Sequence, residues 1–141
     1  MTPKKPDGSS VPVKRRILEV SDEEAIREIN AAICEKLGFA VVHASQGEEA
    51  LKLYQQGGAF AAVVTDLYWY DRIPEPPLSI RTIRDGIHLA LAIRKIAPEQ
   101  RIVIHTACST VRAQMPKELG DVTVIEKPYS GIELELLLDN L

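Results

Sequence analysis

The sequence predicts an α/β fold, a doubly wound sheet of five parallel strands with helices on both faces. Three observations predict it. Five short apolar runs alternate with five segments of helical periodicity, the pattern of strand–helix–strand units joined by right-handed crossovers. The runs are short, and the one at Phe60 to Asp66, with its valines and the Gly57-Gly58 before it, reads as a strand buried on both faces. Polar residues follow the runs at Ser21-Asp22, Asp66, Thr106 and Lys127, where such a sheet gathers its ligand-binding edge.

Met1 to about Val13 carries Pro3, Pro6, Gly8, Ser9, Ser10 and Pro12 and reads as a flexible tail, so the domain proper spans 14–141. Lys14-Arg15-Arg16 is a solvated flank. Ile17 to Val20 forms the first strand. Ser21 and Glu24 have the spacing of a capping box, which opens a helix running to about Leu37 with Ile26, Ile29, Ile33 and Leu37 on one face. Gly38 ends that helix. Phe39 to Ala44 is the second strand. Ser45-Gln46-Gly47-Glu48 repeats the capping pattern and opens a helix with Ala50, Leu51 and Tyr54 inward, closed by Gly57-Gly58. The third strand then ends at Asp66.

Leu67 to Asp85 breaks the rhythm. Pro74, Pro76 and Pro77 rule out regular structure across its middle, and Tyr68, Trp69, Tyr70, Arg72, Arg81 and Arg84 give it an aromatic and basic character. After Asp85-Gly86, Ile87 to Ala97 is a helix with Leu89, Ile93 and Ile96 on one face, stopped by Pro98. Arg101 to Thr106 is the fourth strand. Ser109 or Thr110 can cap a short helix reaching Leu119-Gly120. Val122 to Glu126 is the fifth strand. Ser130 and Glu133 form a third capping pattern before a last helix that buries Leu134, Leu137, Leu138 and Leu141.

Composition narrows the function. The 141 residues suit one domain with a single sizeable core. A net charge of −3 and a pI near 5.6 give no electrostatic case for nucleic-acid binding. Cys34 and Cys108 lack metal-ligand spacing and read as free thiols of a reducing compartment. No run reaches the roughly 18 apolar residues of a membrane span, and the N-terminus has no signal-peptide core, so a cytoplasmic protein is expected. His43, His88 and His105 show no ligand spacing and read as packed or surface histidines.

Two carboxylates, a hydroxyl and an ammonium at matching strand ends carry a resemblance. In Val20-Ser21-Asp22-Glu23, Val64-Thr65-Asp66-Leu67, Thr106-Ala107 and Lys127-Pro128 the chain resembles the receiver domains of two-component response regulators, over about Arg16 to Leu141. The resemblance implies a flavodoxin-like receiver fold with strand order 2-1-3-4-5. It implies that Asp66 accepts a phosphoryl group from a histidine kinase or phosphotransfer protein. It implies Mg²⁺ held by Asp22, Asp66 and the main-chain carbonyl of Tyr68, a phosphoryl contact from Lys127, a switch hydroxyl on Thr106, and a cis Lys127-Pro128 bond. The chemistry suits these residue types. Phosphoryl transfer is mostly positioning and charge neutralisation, two close carboxylates repel, and a divalent cation relieves both problems.

The chain departs from the family in three places. Ser21 stands where the family has the second acid of its pair, so weaker Mg²⁺ binding is expected, with Ser21 or Glu23 reaching the cation through water. Asp66 and Asp85-Gly86 are joined by a much longer segment than the family's, which makes 67–85 an extended insertion and a candidate lid or docking surface. Val124 replaces the aromatic residue that usually answers the switch hydroxyl. The expected function is a phosphoacceptor receiver with slow loss of phosphate to water, acting on an unknown downstream protein. The alternative is an atypical receiver that binds partners without phosphorylation. A third reading, a metal-dependent phosphatase-type enzyme, would need a separate general acid, and the sequence offers none. With no DNA-binding or catalytic domain after Leu141, the chain is expected either to act alone or to be part of a longer protein.

Overall fold

The computed structural model describes residues 14–57, 59–67, 83, 85–107, 113, 115–126 and 131–141. Its elements are β1 (Arg16–Val20), α1 (Glu24–Lys36), β2 (Ala40–Ala44), α2 (Gly47–Gly57), β3 (Ala62–Asp66), α3 (Gly86–Ile96), β4 (Ile102–Thr106), a 3-10 turn (Lys117–Leu119), β5 (Thr123–Glu126) and α4 (Ile132–Asp139). The five strands form one parallel sheet in the order β2-β1-β3-β4-β5, as the resemblance implies. The start of the short helix expected after Ser109 lies outside the described residues; its end is the 3-10 turn.

Side chains alternate between the faces along each strand, and the core divides accordingly. Leu18, Val20, Val63, Ile102 and Ile104 pack with Ala50 and Tyr54 of α2 and Leu89, Ala90 and Ile93 of α3. Ile17, Ala62, Val64, Val103 and Ile125 pack with Cys34 of α1 and Leu134 and Leu138 of α4. Burial pushes the Cys34 thiol up to about 12, so it is a protonated, inert filler.

Several local expectations need correction. α1 does not begin at Ser21: Glu23 occupies the N-cap position without a side-chain bond, because Ser21 continues the ladder by donating its N–H to the Ala44 carbonyl. α1 buries Asn30 and Cys34, whereas Ile29 is 43% exposed; Ile96, at the end of α3, is 51% exposed. The buried stripe of α1 is thus rotated from the one its isoleucines mark, whereas α3 buries Leu89 and Ile93 as expected and leaves Ile96 exposed at its end. The second capping box is shifted by one residue: Glu49, not Glu48, accepts from the Ser45 N–H and hydroxyl. At α4 the N-cap is Gly131 in a left-handed conformation (φ 92°), where an added Cβ would sit 2.8 Å from Ile33 of α1. Ser130 lies outside the described residues.

Candidate functional site at the carboxyl edge

Parallel strands deliver their last residues to one edge, and β3 ends there in Asp66. The register sets its neighbours. Val20 of β1 pairs with Thr65, so Ser21 and Asp22 lie beside and just beyond Asp66. His105 of β4 pairs with Asp66 directly, and Thr106 follows it one residue further along. Thr106 in turn pairs with Glu126, so β5 reaches the same edge at its last described residue.

The Asp66 side chain is buried, and two protein groups meet its oxygens. The Ser21 hydroxyl donates to Oδ2 at 2.8 Å, and His105 Nδ1 lies 2.8 Å from Oδ1. Ser21 is itself buried, and its Oγ also accepts from the Glu23 N–H at 3.1 Å. The hydroxyl hydrogen goes to Asp66 while the oxygen still accepts a backbone N–H, but that N–H belongs to Glu23, the N-cap residue itself, so the cap expected at Ser21 is not formed. Thr65 donates its hydroxyl to the Asp66 carbonyl at 2.9 Å.

α3 closes the edge from the other side. The Gly86 N–H donates to the Leu67 carbonyl at 2.7 Å, and a Cβ at Gly86 would come within 2.5 Å of the Asp66 carbonyl oxygen. Only glycine lets the helix start so close to the strand end. Asp85 caps α3 by accepting from the His88 N–H at 2.9 Å. Leu67 and Gly86 are therefore adjacent although 19 positions apart.

Of the expected site residues, the structure joins Ser21 to Asp66 directly. It places Asp22 and Glu23, both exposed, and the buried Thr106 at the same edge. Tyr68 and Lys127 lie outside the described residues, as do Cys108, Pro128 and the insertion's interior. Among the described residues no cluster of three or more His, Cys, Asp or Glu side chains is disposed to hold a metal ion.

Sequence reasoning assigned no role to two buried ionisable groups. His105 touches Asp66, and Glu19 of β1 accepts from Asn30 Nδ2 at 3.1 Å and contacts His43 Nδ1 at 2.7 Å. Burial holds the Glu19 carboxyl above its ordinary range, with the Asn30 and His43 contacts opposing it in part. The signal was present in both strands: a lone polar residue interrupts an otherwise apolar run at Ile-Leu-Glu-Val and Ile-Val-Ile-His.

No protein-family model matches the chain. The chain is 35% identical over 123 residues to a probable transcriptional regulator ycf27 of Guillardia theta, covering 86% of this chain and 43% of that protein. Among solved structures, it resembles a response regulator receiver protein of Sinorhizobium medicae at 27% identity and a TM-score of 0.70, covering 90% of this chain and 95% of that one. It also resembles the response regulator TrrA of Thermotoga maritima, solved in complex with Mg²⁺-BeF, at 27% identity and a TM-score of 0.69, covering 89% of this chain and 97% of that one. The chain spans less than half the length of the curated relatives it matches. No described helix is long and apolar enough to cross a membrane.

Proposed function

We propose that this receiver domain of the response-regulator type accepts a phosphoryl group on Asp66 from a histidine kinase or phosphotransfer protein. The observation that carries the reading is the Asp66 carboxylate itself, ending the central strand at the carboxyl edge with Ser21-Asp22 on one side and the β4 end on the other. In the transfer, one Asp66 oxygen bonds to phosphorus as the phosphorus–nitrogen bond of a phosphohistidine breaks. The imidazole leaves with the bonding pair and takes up a proton.

The donor set suits Mg²⁺, which binds through one or two carboxylates and keeps several waters. Asp22 and Asp66 would hold it together with the Tyr68 carbonyl, with Ser21 or Glu23 acting through water. The cation would offset the charge that the incoming phosphoryl adds. Lys127 would hold a phosphoryl oxygen as a point charge, and Thr106 would donate its hydroxyl to another. Because the ligand of Thr106 exists only in the phosphorylated state, its movement reports that state to a downstream protein. Water attacks the acyl phosphate slowly and resets the domain. The protein acts in the cytoplasm on this reading.

The test is incubation with Mg²⁺ and acetyl phosphate or phosphoramidate, repeated with a cognate kinase, followed by intact-mass measurement. A gain of one phosphoryl group that disappears in Asp66→Asn is expected; an unmodified wild type under both donors overturns the reading. A second reading, a receiver that binds partners without phosphorylation, is favoured by one feature: Ser21 stands in place of an acid and donates to Asp66. That reading predicts partner binding that survives Asp66→Asn.

A further inference from the structure

Ser21 follows β1 directly and is fully buried. Its N–H donates to the Ala44 carbonyl at 3.0 Å, so β2 fixes its backbone. Its hydroxyl is engaged twice: the hydrogen goes to Asp66 Oδ2 at 2.8 Å, and the oxygen accepts the Glu23 N–H at 3.1 Å. A metal-bound water seeks an acceptor, but this oxygen is closed to solvent and already accepts a backbone N–H. Oδ2 is also the Asp66 oxygen bonded from the β1 side, where Asp22 is the next residue along the chain.

We propose that Ser21 is a positioning residue that acts on the phosphoacceptor itself and not on the cation through water. Its hydroxyl holds Asp66 Oδ2 in the resting domain and must release it before that oxygen takes a cation or a phosphoryl group. The inference rests on the Mg²⁺-dependent reading of the site. A hydrogen bond to a buried carboxylate is strong, and stabilisation that exists only in the resting state opposes every step that breaks it. An acid in the same place would attract the cation and repel Asp66; the hydroxyl does neither. Ser21 therefore lowers the resting affinity of the site for Mg²⁺ by a mechanism separate from its missing charge.

The two mechanisms differ in sign when the hydroxyl is removed. The test compares Ser21→Ala with Ser21→Thr, which restores a hydroxyl. Mg²⁺ affinity is measured by calorimetry, and phosphorylation by phosphoramidate at limiting Mg²⁺. Ser21→Ala is expected to bind Mg²⁺ about ten-fold tighter, the size of one lost contact to a charged group, and to take up phosphate correspondingly faster. Losing the Glu23 N–H contact in the same variant loosens the turn that carries Asp22, which acts against tighter binding and does not imitate it. Ser21→Thr should return both quantities towards wild type. Unchanged or weaker Mg²⁺ binding in Ser21→Ala, the result of a contact made through water, overturns the proposal, as does a Thr variant that behaves like Ala. A measurement on the wild type covers the case in which the variants do not fold. The Ser21 hydroxyl proton should exchange slowly with water in the metal-free protein and faster once Mg²⁺ is added; an exchange rate that Mg²⁺ leaves unchanged overturns the proposal. If no form takes up phosphate while the Mg²⁺ affinities separate as stated, the phosphoacceptor reading falls and the positioning of Asp66 by Ser21 stands.

Discussion

Against α2 and α3 the sheet presents Leu18, Val20, Val63, Ile102 and Ile104; against α1 and α4 it presents Ile17, Ala62, Val64 and Val103, but also Glu19, Asp66 and His105. All three of the sheet's buried carboxylate and imidazole groups thus point to one side. The difference separates two jobs. The α2/α3 face is packed mainly with apolar side chains and fully buries no ionisable group; its one half-buried strand charge, Arg16 of β1, donates to the Gly57 carbonyl and lies over Phe60. The α1/α4 face gives up apolar area near the carboxyl edge and fills it with polar groups, Asn30 and His43 bonded to Glu19, Ser21 bonded to Asp66, and His105 packed 2.8 Å from the other Asp66 oxygen. Buried polar groups are stable only when so matched, which makes this face the sensitive one for function.

The comparison breaks first if the apolar face turns out to carry function. Ile93→Ala removes a fully buried side chain of α3 and should cost about 2–5 kcal/mol in chemical denaturation. Mg²⁺ affinity of the folded variant should stay at the wild-type value. An affinity that falls along with stability would show that the two faces are not separable. The seam between face and edge comes next. Gly86→Ala forces a methyl against the Asp66 carbonyl oxygen, which is backbone and cannot swing away. A loss of about 1–3 kcal/mol is expected, here together with weakened Mg²⁺ binding, because the strand end itself must shift.

Glu19 sharpens the contrast from the polar side. Its folded-state proton affinity is raised, chiefly by burial, above the ordinary 4.5. The folded protein therefore binds this proton more tightly than the unfolded chain does. The stability it contributes is whole below about pH 4.5 and is lost as pH rises through the folded value. Glu19→Gln keeps the shape and can still meet Asn30 and His43 without a buried charge. It should be more stable than wild type at neutral pH, by about 1 kcal/mol, with the gap closing towards pH 4.5. A gap that widens as pH falls would mean that the His43 contact, not burial, governs Glu19.

The division of faces also explains what the sequence could reveal. The strand ends and the position of Asp66 were legible, because short apolar runs and the residues at their ends are local signals, whereas the strand order came only with the resemblance to receiver domains. The burial of Leu89 and Ile93 was legible for the same reason, as was the stop at Gly38. The inward face of α1 was not. Its isoleucines mark one stripe, yet Asn30 is buried because Glu19 lies beneath it, a pairing across 11 positions that periodicity does not register. Ser21 matched a capping pattern and was claimed by Asp66 across 45 positions. His105 looked like a packed histidine and is one, but its partner is fixed by strand register. Register between non-consecutive strands is a property of the whole sheet, so the partners of polar core residues were out of reach until the sheet was assembled.

The smallest effect is expected at the opposite, amino-terminal edge, where charge is present but not buried. Arg94 of α3 donates through both terminal nitrogens to Asp121, at 3.0 and 3.1 Å, and through Nε to the Gln100 carbonyl at 2.8 Å. The Asp121 side chain is 70% exposed, so water screens the pair. The Arg94 hydrogen bonds hold the Asp121 carboxyl below its ordinary 3.8, so the stability it adds is present above that pH and is lost as pH falls through the lower folded value. Asp121→Asn should cost less than about 1 kcal/mol at neutral pH, lose most of that in high salt, and leave Mg²⁺ affinity untouched. A cost that persists in high salt would mean that this exposed pair behaves like the buried groups around Glu19 and Asp66, and that burial is not what distinguishes the two edges.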